Sequence, residues 1–157
     1  MNPANQELFS HAKTDELCEL LKEQLIVRKE SPFWADKVIP FTRAVMSALV
    51  PLQKQNLLFN PEGVAQERLT FELFYRWCDM VSLKSLYFTL KRSNEKGELV
   101  GTRVESSHAK SYKQIDLGEL ESYLQRYNIN TQNESLDFPI ANYNLHIGVA
   151  NVIKSLL

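Results

Sequence analysis

Apolar side chains recur every three to four positions along most of this chain, the period of amphipathic helices packed on a common core. The first run is Leu17, Leu21 and Leu25, with Leu20 widening the face. Thr14 is a suitable N-cap, and Asp15 and Glu16 suit the positive end of a helix dipole, so a helix is predicted from Thr14 to near Arg28. A second starts at SPFWADKVIPF, with Ser31 as cap and Pro32 in the first turn, where a missing N–H is harmless. Its stripe is Trp34, Val38, Phe41, Val45, Leu49 and Leu52. Trp34 shares the phase and is expected in the core, whereas Phe33 lies off the stripe. Pro40 falls inside this helix, where proline costs about 3 kcal/mol. Because the phase survives Pro40, one kinked helix is expected, closed by Pro51.

Asn60 and Pro61 repeat the cap-plus-proline signal and predict a third helix to near Leu69. Thr70 opens an aromatic segment (Phe71, Phe74, Tyr75, Trp77, Cys78, Val81) apolar nearly all round, as central helices are. Ser82 is expected to cap Leu83 to Lys91, with Leu83, Leu86, Tyr87 and Leu90 inward. From Ser93 to Ile115 the period lapses. That stretch reads as a long polar loop, or as a short hairpin with Glu98 to Val100 facing Thr102 to Val104 around Gly101. Asp116 and Glu119 form a capping-box pattern before Leu117, Leu120, Tyr123, Leu124 and Tyr127. NINTQNESLDFP is a polar linker. Ile147, Val149, Val152, Ile153 and Leu156 then suggest a last helix, weakened by Gly148, so that 138–157 is a packed helix or partly extended. The fold class expected is all-α, a compact bundle of about six to seven helices with a long polar loop or short hairpin at about 93–115. It forms one domain over residues 1–157, with its core at about 14–127.

Composition narrows the functional classes. A chain of 157 residues, 44% of them hydrophobic, is long enough for one buried core. Eighteen basic residues against nineteen acidic give a formal charge of -1, so nucleic-acid binding would need a local patch. The one candidate is Lys84 to Lys113, where seven basic residues outnumber three acidic ones. Lys91, Arg92, Lys96, Arg103, Lys110 and Lys113 are its candidate contacts to a partner or to phosphates. No apolar run reaches the roughly 18 to 20 residues that span a bilayer, and the first residues lack the basic-then-apolar order of a secretory leader, so a cytoplasmic chain is expected. Cys18 and Cys78 lie in apolar helical patterns and are expected to be small buried hydrophobes.

A catalytic inventory does not emerge. The chain holds no GxxxxGK[ST] loop, GxGxxG turn, HExxH or GxSxG, and His11, His108 and His146 are far apart. Such histidines are ordinarily surface or capping residues. No cofactor, metal site or enzymatic activity is expected.

The stretch SPFWADKVIPFTRAVMSALVPL, preceded by ELCELLKEQLI and followed by LTFELF and LESYLQRY, resembles the all-alpha domain of type IV secretion coupling proteins, the hexameric ATPases of the TraD/TrbC kind. The likeness covers most of residues 14 to 127. It implies a cytoplasmic cap over the channel of a parent motor domain, itself anchored to the inner membrane, that meets relaxase, relaxosome or secreted protein cargo, or DNA. The family's motor carries phosphate-binding motifs and a membrane anchor that this sequence lacks. The resemblance therefore implies an excised domain that does not hydrolyse ATP alone, and it carries over no catalytic residue.

Overall fold

The computed structural model describes residues 2–135 and 139–157. Eight α-helices are found among them: α1 (Pro3–Ser10), α2 (Thr14–Val27), α3 (Pro32–Lys54), α4 (Phe71–Trp77), α5 (Met80–Lys96), α6 (Ser106–Ala109), α7 (Gly118–Arg126) and α8 (Ile140–Leu156). No strand occurs among the described residues, only an isolated bridge between Phe59 and Ala65. The all-α expectation holds.

The longest helix, α3, is the axis of the molecule and touches α2, α4, α7 and α8. Ser31 Oγ accepts from the Phe33 N–H at 3.3 Å, as the sequence pattern suggests. Val38, Phe41, Val45, Leu49 and Leu52 are all buried. Phe41 is the hinge of the core, its ring lying 6.5 Å from Phe74, 5.5 Å from Tyr123 and 5.0 Å from His146. Trp34 departs from expectation: it is half-buried, edge-on to Phe33 at 5.2 Å, and rests against Gly148, where an added Cβ would sit 3.4 Å from its ring. Phe33 itself is exposed.

Helix α3 runs unbroken through Pro40, and also through Pro51, which does not close it. A proline in the last turn forfeits one bond, which three further residues of packed helix tolerate. The corresponding correction at the start of α2 is that Lys13, not Thr14, is the cap, with no side-chain bond. Likewise Asp79 caps α5, accepting from the Ser82 N–H at 3.1 Å, so the helix starts before Ser82 and runs on to Lys96. Gly97, at φ +68°, ends it. Leu117 precedes α7 without a side-chain cap, and Asp116 instead accepts from the Gly118 N–H at 2.8 Å.

The helix expected after Asn60 is absent. Asn60 Oδ1 accepts from the N–H groups of Glu62 and Val64, both at 3.0 Å, which folds the chain into a turn instead. Gly63 sits at φ +80°, and a Cβ there would lie 3.3 Å from the Arg103 nitrogen, so the position suits glycine alone. In the other direction, α1 was not signalled as a helix, although Asn2 and Pro3 carry the same cap-plus-proline pair; Asn2 Oδ1 accepts from Ala4 at 2.8 Å. It delivers Phe9, fully buried, against Phe74 at 5.3 Å.

Residues 97–115 are neither a hairpin nor an unpacked loop. Leu99, Val104, Ala109, Tyr112 and Ile115 are buried, and side-chain amides from the helices stand in for missing main-chain partners. Asn94 accepts from the Ile115 N–H at 3.0 Å and donates to its carbonyl at 2.9 Å. Gln55 does the same for Lys113, at 2.7 and 3.1 Å. In the linker, Ile129 and Thr131 are buried, while residues 136–138 lie outside the described residues. Helix α8 buries His146, Val149, Ala150, Ile153 and Leu156, leaving Ile147 exposed.

Candidate functional site

The antiparallel pairing of α3 with α7 leaves an open groove of about 570 Å³ between them. From α3 it takes Ile39, Pro40 and Arg43; from α7 it takes Gly118, Glu119, Ser122, Tyr123 and Arg126. The groove owes its shape to residue size. Pro40 has a short ring in place of a long side chain, and Gly118 has none.

Pro40 also removes one main-chain bond from α3. In a regular helix the N–H of residue 40 would bond the carbonyl of Asp36, and proline has no N–H to give.

The charged groups are set at the rim. Arg43 Nη1 pairs with Asp15 at 2.7 Å in an exposed ion pair, and that bond raises the guanidinium pKa. Glu119 faces Arg43 from the start of α7. At the other end Arg126 is exposed and forms no ion pair with a described residue. Outside the groove lining, Lys37 Nζ sits 5.9 Å from the ring of Tyr127 and 5.5 Å from that of Phe33.

Tyr123 is the wall that ties this groove to the interior. Its hydroxyl meets His146 Nδ1 at 2.9 Å, while His146 Nε2 contacts the Cys78 carbonyl. A carbonyl only accepts, so Nε2 carries the proton, Nδ1 is bare and the Tyr123 hydroxyl donates. Burial pushes the His146 pKa down to about 4 and that of Tyr123 up. Both are neutral at pH 7. His146 is thus not the surface or capping residue expected of it but a core histidine with both nitrogens used, a common solution for a buried imidazole. Its position in phase with Val149, Ile153 and Leu156 was the available signal.

The six basic candidates differ in what their side chains meet. Lys91 stands 5.9 Å from the Phe88 ring and 6.0 Å from the Tyr87 ring, and Arg92 is paired with Glu134. Lys96, at the last turn of α5, is exposed, as are Arg103, Lys110 and Lys113 on the segment that follows. The main chain of Arg103 and Lys113 is engaged, by the Gly63 carbonyl at 2.8 Å and by Gln55, but their side chains form no ion pair with described residues. Lys84 is not part of that surface; it is buried, with Nζ donating to the Ser135 carbonyl.

Among the described residues no group of three or more His, Cys, Asp or Glu is arranged to hold a metal ion, and no helix is long and apolar enough to cross a membrane. Cys18 and Cys78 are both free and buried, and burial raises both thiols. The groove residues escaped the sequence reading, although Pro40 inside a phase-keeping stripe marked the place. No family model, no curated protein and no solved structure matches the chain.

Proposed function

We propose that the chain is a protein-recruitment module, and that it serves as the cargo-meeting helical domain of a coupling protein in conjugation or type IV secretion. The α3–α7 groove carries this reading: it is open to solvent, with an apolar floor and a charged rim that can take a segment of another protein. The helix that forms one wall is the stretch SPFWADKVIPFTRAVMSALVPL, on which the likeness to coupling proteins rests. In this proposal the domain works in the cytoplasm beside a membrane-anchored parent motor, takes no cofactor and catalyses nothing itself. Titration of the purified chain against purified relaxases of conjugation systems tests the idea. Saturable binding is expected, and a folded chain that captures no relaxosome component or secreted protein would sink it.

A second reading, contact with DNA, is favoured by Lys96, Arg103, Lys110 and Lys113, four exposed cations on α5 and the following loop without ion pairs to described residues. Binding of this kind falls severalfold or more between about 50 and 200 mM salt. Absence of binding at the lower salt concentration would remove it.

A further inference from the structure

We propose that α7 pairs with α7 of a second copy of this chain, antiparallel across a two-fold axis, through the face that lines the groove. The inference goes beyond the recruitment reading, because a second copy and cargo would compete for that face.

The charges of the groove commit it to that occupant. Glu119 and Arg126 both line it and are exposed, and neither forms an ion pair with a described residue. They stand seven positions apart, about two turns, so they share one face of α7 at a spacing of about 10 Å. Arg43, beside Glu119, is already answered by Asp15 at 2.7 Å. Asp116 adds a second carboxylate near that end, its Oδ1 accepting from the Gly118 N–H at 2.8 Å. On the turn of α3 before the groove, Asp36 and Lys37 are of opposite sign. The groove is therefore acidic at the Glu119 end and basic at the Arg126 end. A wholly acidic segment would meet Glu119 as a like charge, and a wholly basic one would meet Arg126. The occupant has to carry both signs, two turns apart and in reversed order. An antiparallel copy of α7 does so from its own sequence. A two-fold axis passing between positions 122 and 123 sets Glu119 opposite the partner's Arg126, and Arg126 opposite the partner's Glu119. Each pair joins a guanidinium to a carboxylate, the combination that forms two parallel bonds. Ser122, exposed at the centre of the face, is small enough for the helices to approach, and half-buried Ile39 and Pro40 offer apolar surface to cover.

Sedimentation equilibrium of the full chain in dilute salt tests this, over about 10 to 1000 μM because a helix of 9 residues gives a small interface. The mass is expected to rise from 18.2 kDa toward twice that value. Glu119→Arg and Arg126→Glu should each weaken the dimer tenfold or more, since each sets like charges opposite one another. Mixed in equal amounts, the two variants should associate as the wild type does, because one then presents only arginines and the other only glutamates. The double variant, with the signs exchanged within one chain, should also dimerise. Far-UV circular dichroism checks that each variant stays helical, and where a single variant unfolds the double variant decides. A wild type at monomer mass throughout would overturn the proposal. So would a dimer indifferent to either substitution, or a mixture no better associated than its components. A monomer that captures relaxase through Arg126 would make cargo the occupant, so that the recruitment reading stands and this inference falls. A dimer with the expected charge pattern and no capture of cargo would do the reverse.

Discussion

At the scale of single residues, His146 shows how a polar group is made part of a core. Its ring is packed against Phe41, donates through Nε2 to the Cys78 carbonyl and accepts through Nδ1 from Tyr123. The folded state holds its pKa at about 4, below the ordinary value of 6.5, because burial disfavours the imidazolium. The unfolded chain therefore binds the proton more readily. Stability is expected to be full above about pH 6.5, to fall as pH drops from there toward 4, and to level off below. The depression corresponds to roughly 3 kcal/mol at most. Urea unfolding at pH 7 and pH 4.5 should show that loss in the wild type, and a smaller one in His146→Gln; equal losses would assign the effect to carboxylates. Nearby, Phe41→Ala should cost about 3 to 5 kcal/mol, as for a fully buried aromatic. Trp34→Ala should cost clearly less, since that ring is half-buried. A larger loss at Trp34 than at Phe41 would place the centre of the core elsewhere.

Among the elements, the helices and the loops are held by different devices, and only one of the two is periodic. Helix faces such as Leu17, Leu21 and Leu25, or Leu120, Tyr123 and Leu124, follow from spacing, because burial needs the same side of each turn to be apolar. The loops are held by side-chain amides. Gln6 accepts from the Phe71 N–H at 3.0 Å, Gln53 donates to the Ser10 carbonyl at 2.9 Å, and Gln55 and Asn94 clasp the segment after α5. Nothing in the local pattern marks an amide whose partner lies 16 to 65 residues away, which is why the order of 97–115 was not legible. At Asn60 the signal was local but ambiguous, because the Asn side chain that can cap a helix here closes a turn onto Glu62 and Val64. The groove escaped for a related reason: Arg43 and Arg126 come to line one groove only through the packing of α3 on α7. Asn94→Ala removes three such bonds, to Ile115 twice and to Tyr112, and should cost about 2 to 3 kcal/mol. Faster amide exchange across 99–115 would accompany it, and unchanged exchange there would refute the clasp. Pro40→Ala restores an N–H for the Asp36 carbonyl and should raise stability by about 1 to 3 kcal/mol. A lower melting temperature would mean that the ring's packing outweighs the regained bond.

For the molecule as a whole, the buried cysteines offer a report on cooperativity. Cys18 lies in α2 and Cys78 at the end of α4, and neither is accessible in the folded state. Burial also holds both as thiols, the unreactive form. A thiol reagent at pH 8 should label neither at a rate approaching that of the urea-unfolded chain. If one domain unfolds as a unit, both should become reactive together across the urea transition. Rapid native labelling of one would show that its helix opens alone.

The central placement of α3 bears on the order in which the chain acquires structure. Its partner α2 lies four residues upstream, so that contact closes a very short loop, whereas α8 must return to α3 across 85 residues of intervening chain. Early pairing of α2 with α3 and late docking of α8 is the sequence of events this favours. Truncating Leu49 or Leu21 should then slow refolding, while truncating Ile153 should leave refolding nearly untouched and hasten unfolding. Because α8 also carries the histidine that anchors Tyr123, the groove wall would reach its final position only in that last step.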